Sequence, residues 1–363
     1  MKLLLLLTVS VLSVKASGYT FEWTGGPIRF PNETIKAQFK SDGRYISKNM
    51  IATRAQIYKD DVYVALPRYK PGVAVTLAKM QSKNVDDPEP VLVPYPNFEI
   101  QNENHTDGLH SVVDIWIDSY GQLWVLDVGV INTLNYPTRK NPPKVVVFDL
   151  KTGEKLKTLD LSGLVVQASR LQYIVVDYGL DLRPFVYVSD ASTRSILVFD
   201  VLEDMGYRFV LPERISRNKR DVLFAALLRN CNGNNSLILT YLSGSKIFSI
   251  NTDLLRSGSA SGNIQEVGVK RENIAILGTD GGSALFYRYK SQADIYRWDS
   301  NASFGSEEKV FSSPCCYIPT NVLPDSNRAV MWVLESNFPD FTQGTVGCGA
   351  SQRLALMISD VPK

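Results

Sequence analysis

The sequence predicts an all-β fold, a six-bladed β-propeller, on three observations. Six apolar, aromatic-bearing runs of strand length recur about every 45 to 65 residues along the chain. Short alternating strands, joined by turns rich in Gly, Asp and polar residues, fill the intervals. Helix signals are sparse. Repeats of this length built from short strands are the pattern of propeller blades. Six copies predict six blades around a central channel, with binding or chemistry at one mouth.

The repeated runs are Val62-Tyr63-Val64-Ala65-Leu66, Leu123-Trp124-Val125-Leu126-Asp127, Phe185-Val186-Tyr187-Val188-Ser189-Asp190, Ser236-Leu237-Ile238-Leu239-Thr240-Tyr241, Ala284-Leu285-Phe286-Tyr287 and Ala329-Val330-Met331-Trp332-Val333-Leu334. Tyr19 to Trp23 reads as an isolated first strand. Gln56 to Tyr58 meets Val62 to Val64 across Lys59-Asp60-Asp61. Val113 to Asp118 meets Leu123 to Asp127 across Ser119-Tyr120-Gly121-Gln122, and Lys144 to Leu150 turns at Lys151-Thr152-Gly153-Glu154. Alternation with Gly- or Asp-bearing turns makes these antiparallel meanders. Ser195 to Asp200 and Lys246 to Ile250 repeat the third strand of a blade. Lys219 to Arg229 is predicted as one or two helical turns, and Met80 to Phe98 and Arg256 to Asn263 as surface connections.

The 363 residues are 21% charged with ordinary apolar content, enough for a large core and without the composition of disorder. Met1-Lys2 precedes an apolar run from Leu3 to Leu12, too short to span a bilayer comfortably, and Val14-Lys15-Ala16 offers small residues where a signal peptidase reads. The expected organisation is a signal peptide over residues 1–16 and one propeller domain over residues 17–363, in a secreted, extracellular protein. Cleavage removes Lys2 and Lys15 and no acid, leaving 37 basic and 37 acidic side chains. That balance gives no global field for nucleic acid. The basic clusters at Arg68-Tyr69-Lys70 and Arg214 to Arg220 read as solvated loops.

Four sequons, at Asn32, Asn104, Asn234 and Asn301, fit a secretory route and surface glycans. The four cysteines, Cys231, Cys315, Cys316 and Cys348, are disulfide candidates in an oxidising compartment. A bridge between the neighbours Cys315 and Cys316 would be strained, so each is expected to pair with Cys231 or Cys348, in either combination. No Cys-x-x-Cys or Cys/His cluster is present, and no metal site or cofactor is expected.

Several blocks resemble the yellow/major royal jelly protein family of insects. They are Gly43-Arg44-Tyr45-Ile46-Ser47-Lys48-Asn49, Pro67-Arg68-Tyr69-Lys70-Pro71-Gly72-Val73, Leu92-Val93-Pro94-Tyr95-Pro96, Leu123 to Gly129, Phe185 to Ala191 and Met331 to Phe338. Together they run in order through nearly the whole chain after residue 16. The resemblance implies a secreted six-bladed propeller. Its members include pigmentation, royal jelly and dopachrome-converting proteins, and salivary proteins that bind biogenic amines. The chain departs from the family pattern in three places. Family cysteines are replaced by Asp118 to Gln122 and by Arg297 beside Trp298, and Glu335 is an extra residue within the last block.

The resemblance places an amine ligand at the channel mouth, at Thr320 and Asn337-Phe338, with Tyr178 and Phe286 as further ring walls. An aromatic amine needs flat apolar walls, and its ammonium favours aromatic faces or an acid. The expected partner is a small aromatic amine such as serotonin or a catecholamine, or a catechol-derived metabolite. A monomer that meets neither nucleic acid nor membrane is expected. Asp127, Asp177, Asp190 and Asp280 end strands and read as turn caps. Only His105 and His110 are available as bases near neutral pH, and no Gly-x-Ser-x-Gly elbow is present. His110 is therefore the catalytic candidate of the alternative reading, a dopachrome- or catechol-converting enzyme in pigmentation. A ligand-free structural or nutritional protein is the third reading.

Overall fold

The computed structural model describes residues 20–81, 90–215, 221–229, 235–327 and 329–357. Strand β1 (Thr20–Thr24) is followed by blade one, β2 (Arg54–Tyr58), β3 (Asp61–Ala65), β4 (Leu77–Gln81) and β5 (Val93–Pro94). Blade two is β6 (Val112–Ile117) and β7 (Gln122–Asp127), then a small ladder of β8 (Val130–Ile131) and β9 (Thr138–Arg139), then β10 (Lys144–Asp149) and β11 (Lys155–Asp160). Blade three is β12 (Leu171–Tyr178), β13 (Pro184–Asp190), β14 (Ser195–Asp200) and β15 (Met205–Val210). Blade four is β16 (Leu223–Leu228), β17 (Ser236–Tyr241), β18 (Lys246–Asn251) and β19 (Gln265–Val269). Blade five is β20 (Ile274–Thr279), β21 (Ala284–Tyr289), β22 (Asp294–Asp299) and β23 (Glu308–Ser312). Blade six begins with β24 (Ile318–Pro324), β25 (Met331–Ser336) and β26 (Ser351–Met357).

Each of the six sheets has four antiparallel strands, and the sixth takes its fourth strand from the start of the chain. Strand β1 lies against β26, from Thr20 opposite Ala355 to Thr24 opposite Ser351. This joins the two ends of the chain in one sheet and closes the ring without a free edge inside it. The inner strands β2, β6, β12, β16, β20 and β24 touch in a closed cycle, β24 returning to β2.

The six repeated sequence runs are the second strands: β3, β7, β13, β17, β21 and β25. They are buried almost end to end because blades cover both faces, so they read as continuous apolar runs. The outermost strand β11 (KLKTLD) is mostly exposed by contrast. The predicted helical turns at Lys219 to Arg229 are corrected: Leu223–Leu228 is inner strand β16, and 216–220 lie outside the described residues. Its alternation places Leu223 and Leu227 in one interblade core and Phe224, Ala226 and Leu228 in the next. Helix α1 (Glu33–Ser41) has no counterpart in the sequence reading. Asn32 caps it, its Oδ1 accepting from Ile35 N at 2.9 Å, and none of its residues is buried.

Inner strands of adjacent blades are not paired, so their facing backbone groups need other partners. Side chains at strand irregularities supply them. Asn321, beside a register shift in β24, accepts from Ala55 N at 2.8 Å and donates to Leu277 O at 2.9 Å. Asp114, at a shift in β6, accepts from Ile174 N at 2.9 Å. Gln172, inside a shift in β12, accepts from Leu223 N at 2.9 Å. At Gly278 the backbones come so close that a Cβ would sit 2.0 Å from Val322 O.

Candidate functional site: a channel with two mouths

Every inner strand runs the same way through the ring. The upper mouth lies where they begin, near Thr53, Ser111 and Ile318. The lower mouth lies where they end in hairpins, near Tyr58, Asp118, Tyr178 and Thr279. A cavity of about 460 Å³ occupies the lower part of the channel and reaches those hairpins. Six aromatic side chains wall it: Tyr58, Trp116, Tyr120, Tyr173, Tyr178 and Phe224. Its floor, towards the upper mouth, is Arg54 and Asp114, whose Nε and Oδ1 are 3.6 Å apart with both side chains nearly enclosed. Arg54 also donates from Nη1 to Thr320 O at 2.6 Å and lies 4.6 Å from the centre of the Tyr173 ring. Burial pushes the Asp114 carboxyl up to about 6, against the opposing pull of Arg54 and two backbone N–H donors, Ile174 and Ile115.

The predicted ligand residues divide between these regions. Thr320 is the residue at the β24 register shift, and its hydroxyl donates to Leu334 O at 3.2 Å. Asn337 follows β25, whose last residue Ser336 pairs with Ile318, so Asn337 and Phe338 sit at the upper mouth. Asn337 precedes the short helix α2 (Phe338–Gln343) without capping it through its side chain. Its Nδ2 approaches Asp340 Oδ2 at 3.5 Å, while its buried Oδ1 has no hydrogen-bond partner. Phe338 meets Tyr69 edge-on at 6.4 Å and stacks on Phe341 at 6.2 Å. The Tyr69 hydroxyl, raised to about 12 chiefly by burial, lies in the charge environment of Arg54 and Asp114.

Tyr178 is at the lower mouth, where its hydroxyl donates to Asp118 Oδ2 at 2.6 Å and its ring meets Tyr120 at 5.2 Å. Phe286 does not line the cavity; it packs between blades five and six with Leu277, Val322 and Val333. Its place on a second strand points it into an interblade core. Glu335 is accommodated within β25 opposite Arg353, with Arg353 Nε 2.9 Å from Glu335 Oε2.

His110 is 2% exposed and does not line the cavity. Its Nδ1 is 3.8 Å from Asp127 Oδ2 and 3.5 Å from Asn141 Nδ2. Asp127 accepts from the backbone N–H groups of His110, Ser111 and Gly129 at 2.8–3.0 Å. Burial alone would raise this carboxyl, but those hydrogen bonds together with the His110 side chain hold it below the usual range. Arg68 of the Pro-Arg block donates from Nη1 to Leu109 O at 2.8 Å and His110 O at 2.6 Å, and from Nε to Val73 O at 2.9 Å. The Pro-Arg block thus stitches blade one to blade two, and Asp127 fixes the backbone at His110 and Ser111 that Arg68 meets. Asp190 and Asp280 likewise accept from nearby backbone N–H groups, of Arg170 and Gly282, both at 2.8 Å. Asp177 instead holds Arg256 at 2.6 Å and Asn235 at 2.7 Å. Among the described residues, no group of three or more His, Cys, Asp or Glu side chains is placed to hold a metal.

Asn32, Asn104 and Asn301 are exposed, and Asn234 lies outside the described residues. Cys315, Cys316 and Cys348 are exposed and unbonded, with the Cys315 and Cys316 Sγ atoms 3.2 Å apart; Cys231 lies outside the described residues. Residues 1–19, which contain the expected signal peptide, also lie outside them. Among the described residues no helix is long and apolar enough to cross a membrane.

The sequence reading missed Arg54, Asp114, Tyr173 and Trp116 as site residues. Asp114 had a signal, a lone acid within the apolar strand Val112–Ile117. Arg54 had none, since it opens a short strand beside a turn.

The major royal jelly protein family model matches residues 110–353. Protein yellow of Drosophila madeirensis is 23% identical over 93% of this chain and 65% of its own length. Protein yellow of Drosophila melanogaster is 23% identical over 88% of this chain and 64% of its own. The chain thus spans just under two thirds of these relatives. Among solved structures, a protein from Lactobacillus plantarum superposes with a TM-score of 0.45 at 10% identity, over 76% of this chain and 77% of its own.

Proposed function

Starting from the fact that the chain belongs to the major royal jelly protein family, we propose that it is a secreted binding protein for small aromatic amines, taken at the upper mouth by Thr320, Asn337 and Phe338. The observation that carries this reading is the buried Asn337 Oδ1 without a partner. An unpaired buried acceptor costs about 1–3 kcal/mol, and a ligand N–H or O–H would offset that cost. The neighbouring rings of Phe338, Phe341 and Tyr69 offer the flat walls an indole or catechol needs. Binding is favoured over dopachrome conversion because His110, the base candidate for that reaction, does not line the cavity. His110 is enclosed, and its partners are Asp127 and Asn141.

Calorimetric titration of the purified protein with serotonin, dopamine and octopamine tests the reading, with dopachrome decay followed in parallel. Saturable binding to the wild type, weakened at least about tenfold by Asn337→Ala, is the expected result, a loss of about 1.4 kcal/mol. Equal affinity in the variant, or accelerated dopachrome decay without binding, would overturn it.

A further inference from the structure

We propose that Cys315 and Cys316 are a site of reversible oxidation, closed into a disulfide between neighbours by exchange with a small-molecule disulfide and reopened by a small thiol. Their Sγ atoms are in contact at 3.2 Å, and both residues are exposed to such a reagent. They are the two central residues of a tight turn, in which Tyr317 N donates to Pro314 O at 3.3 Å. Cys316 stands at φ 74°, the left-handed conformation found at the third residue of a type II turn and usually filled by glycine or asparagine. A side chain held there against its own preference points to a functional position.

Neighbouring Cα atoms lie about 3.8 Å apart across a trans peptide, short of the roughly 4.4–6.8 Å of ordinary disulfides. A bridge closed over that span stores strain, and strained, exposed disulfides are the easily reduced kind. The strain that disfavours a permanent structural bridge therefore favours one that opens and closes.

The exchange needs only a small disulfide, RS–SR. The Cys315 thiolate attacks one of its sulfurs, forms a mixed disulfide and releases one RS⁻. Cys316 then gives up its proton and attacks Cys315 Sγ, forming the bridge and expelling the second RS⁻. Two protein thiols are oxidised, and one small disulfide is reduced to two thiols. The contact with Cys315, and then the charge of Asp340, raise the Cys316 thiol, which assigns the first attack to Cys315. The second attack is made by a group already in contact, so the mixed disulfide does not accumulate.

The turn leads directly into β24, where Ile318 pairs with Ser336, the residue before Asn337. The pair thus borders the upper mouth, although the exchange needs no ligand there. Cys348, exposed on the loop before β26, and Cys231 are the competing partners.

Tryptic mapping of the full chain separates these pairings. Cleavage after Lys309 and Arg328 isolates both neighbours in peptide 310–328, with Cys231 in peptide 230–246 and Cys348 in peptide 329–353. The protein is mapped as purified, after dithiothreitol, and after return to a buffer rich in oxidised glutathione, with free thiols blocked by iodoacetamide. The expected oxidised product is peptide 310–328 on its own, unlabelled and two hydrogens lighter than the dithiol. Excess reduced glutathione should return it to the doubly labelled form. Cys348→Ser should change neither result, and Cys316→Ser should trap a single glutathione on Cys315. Peptide 310–328 joined to either of the other two, two free thiols persisting in the oxidising buffer, or two glutathione adducts in place of closure would overturn the proposal. A bridge that excess reduced glutathione leaves closed would overturn its reversibility.

Discussion

Asn321→Leu isolates what holds the ring of inner strands together. Asn321 is 6% exposed and bridges three blades, accepting from Ala55 N on β2 and donating to Leu277 O on β20. Leucine is similar in size but offers neither partner, so one backbone N–H and one backbone C=O are left buried without these bonds. Each orphan costs about 1–3 kcal/mol, so the expected loss is about 2–6 kcal/mol. For a domain of this size that is a fall in melting temperature of roughly 3–8 °C. Urea unfolding followed by tryptophan fluorescence and far-UV circular dichroism reads the loss. Asn321→Asp serves as the control: it keeps the acceptor for Ala55 N but turns a carboxylate oxygen towards Leu277 O. A leucine variant within about 0.5 kcal/mol of wild type would refute the argument that side-chain bridges, rather than interblade apolar packing alone, secure the ring.

Asp114→Asn tests the floor of the channel. A carboxyl raised from 3.8 to about 6 holds its proton more tightly in the folded chain than in the unfolded one. Its contribution therefore favours folding at low pH and fades as pH rises from about 4 through 6, by up to about 3 kcal/mol. The stability difference between Asp114→Asn and wild type should move in the variant's favour by that order between pH 4 and pH 7. A difference independent of pH would refute the raised carboxyl. Phe286→Ala should cost about 3–5 kcal/mol as a core truncation. It should leave amine affinity unchanged at temperatures where it is folded, and a selective loss of ligand affinity would instead place Phe286 at a binding site.

The fold was legible because propeller blades are nearly one-dimensional objects. Each second strand is covered on both faces, so β7, β13 and β17 print themselves as apolar runs at regular spacing. Inner strands are harder to read. Strand β16 (LFAALL) divides its side chains between two cores, and its Leu- and Ala-rich sequence resembles a helix as much as a strand. Helix α1 has no fully buried residue and only Phe39 packs partly on the core, so no apolar stripe announces it; its clearest mark is the cap at Asn32.

The site was legible only in part, and the reason is geometric. Strand pattern shows which face a residue occupies, but not which end of the channel it reaches or what blocks the passage between. Thr320 and Asn321 are adjacent in sequence, yet the register shift there sends the first to Leu334 and the second to Ala55 and Leu277. Tyr178 and Asn337 both read as mouth residues, yet one belongs to the hairpin end and the other to the opposite end. What divides them is the Arg54, Asp114 and Tyr173 cluster, assembled from three blades whose residues are 119 positions apart at the extremes. No local pattern encodes a contact of that range. The two mouths are therefore to be assayed separately: Asn337 and Tyr178 stand at opposite ends of the channel, with the Arg54 and Asp114 pair between them.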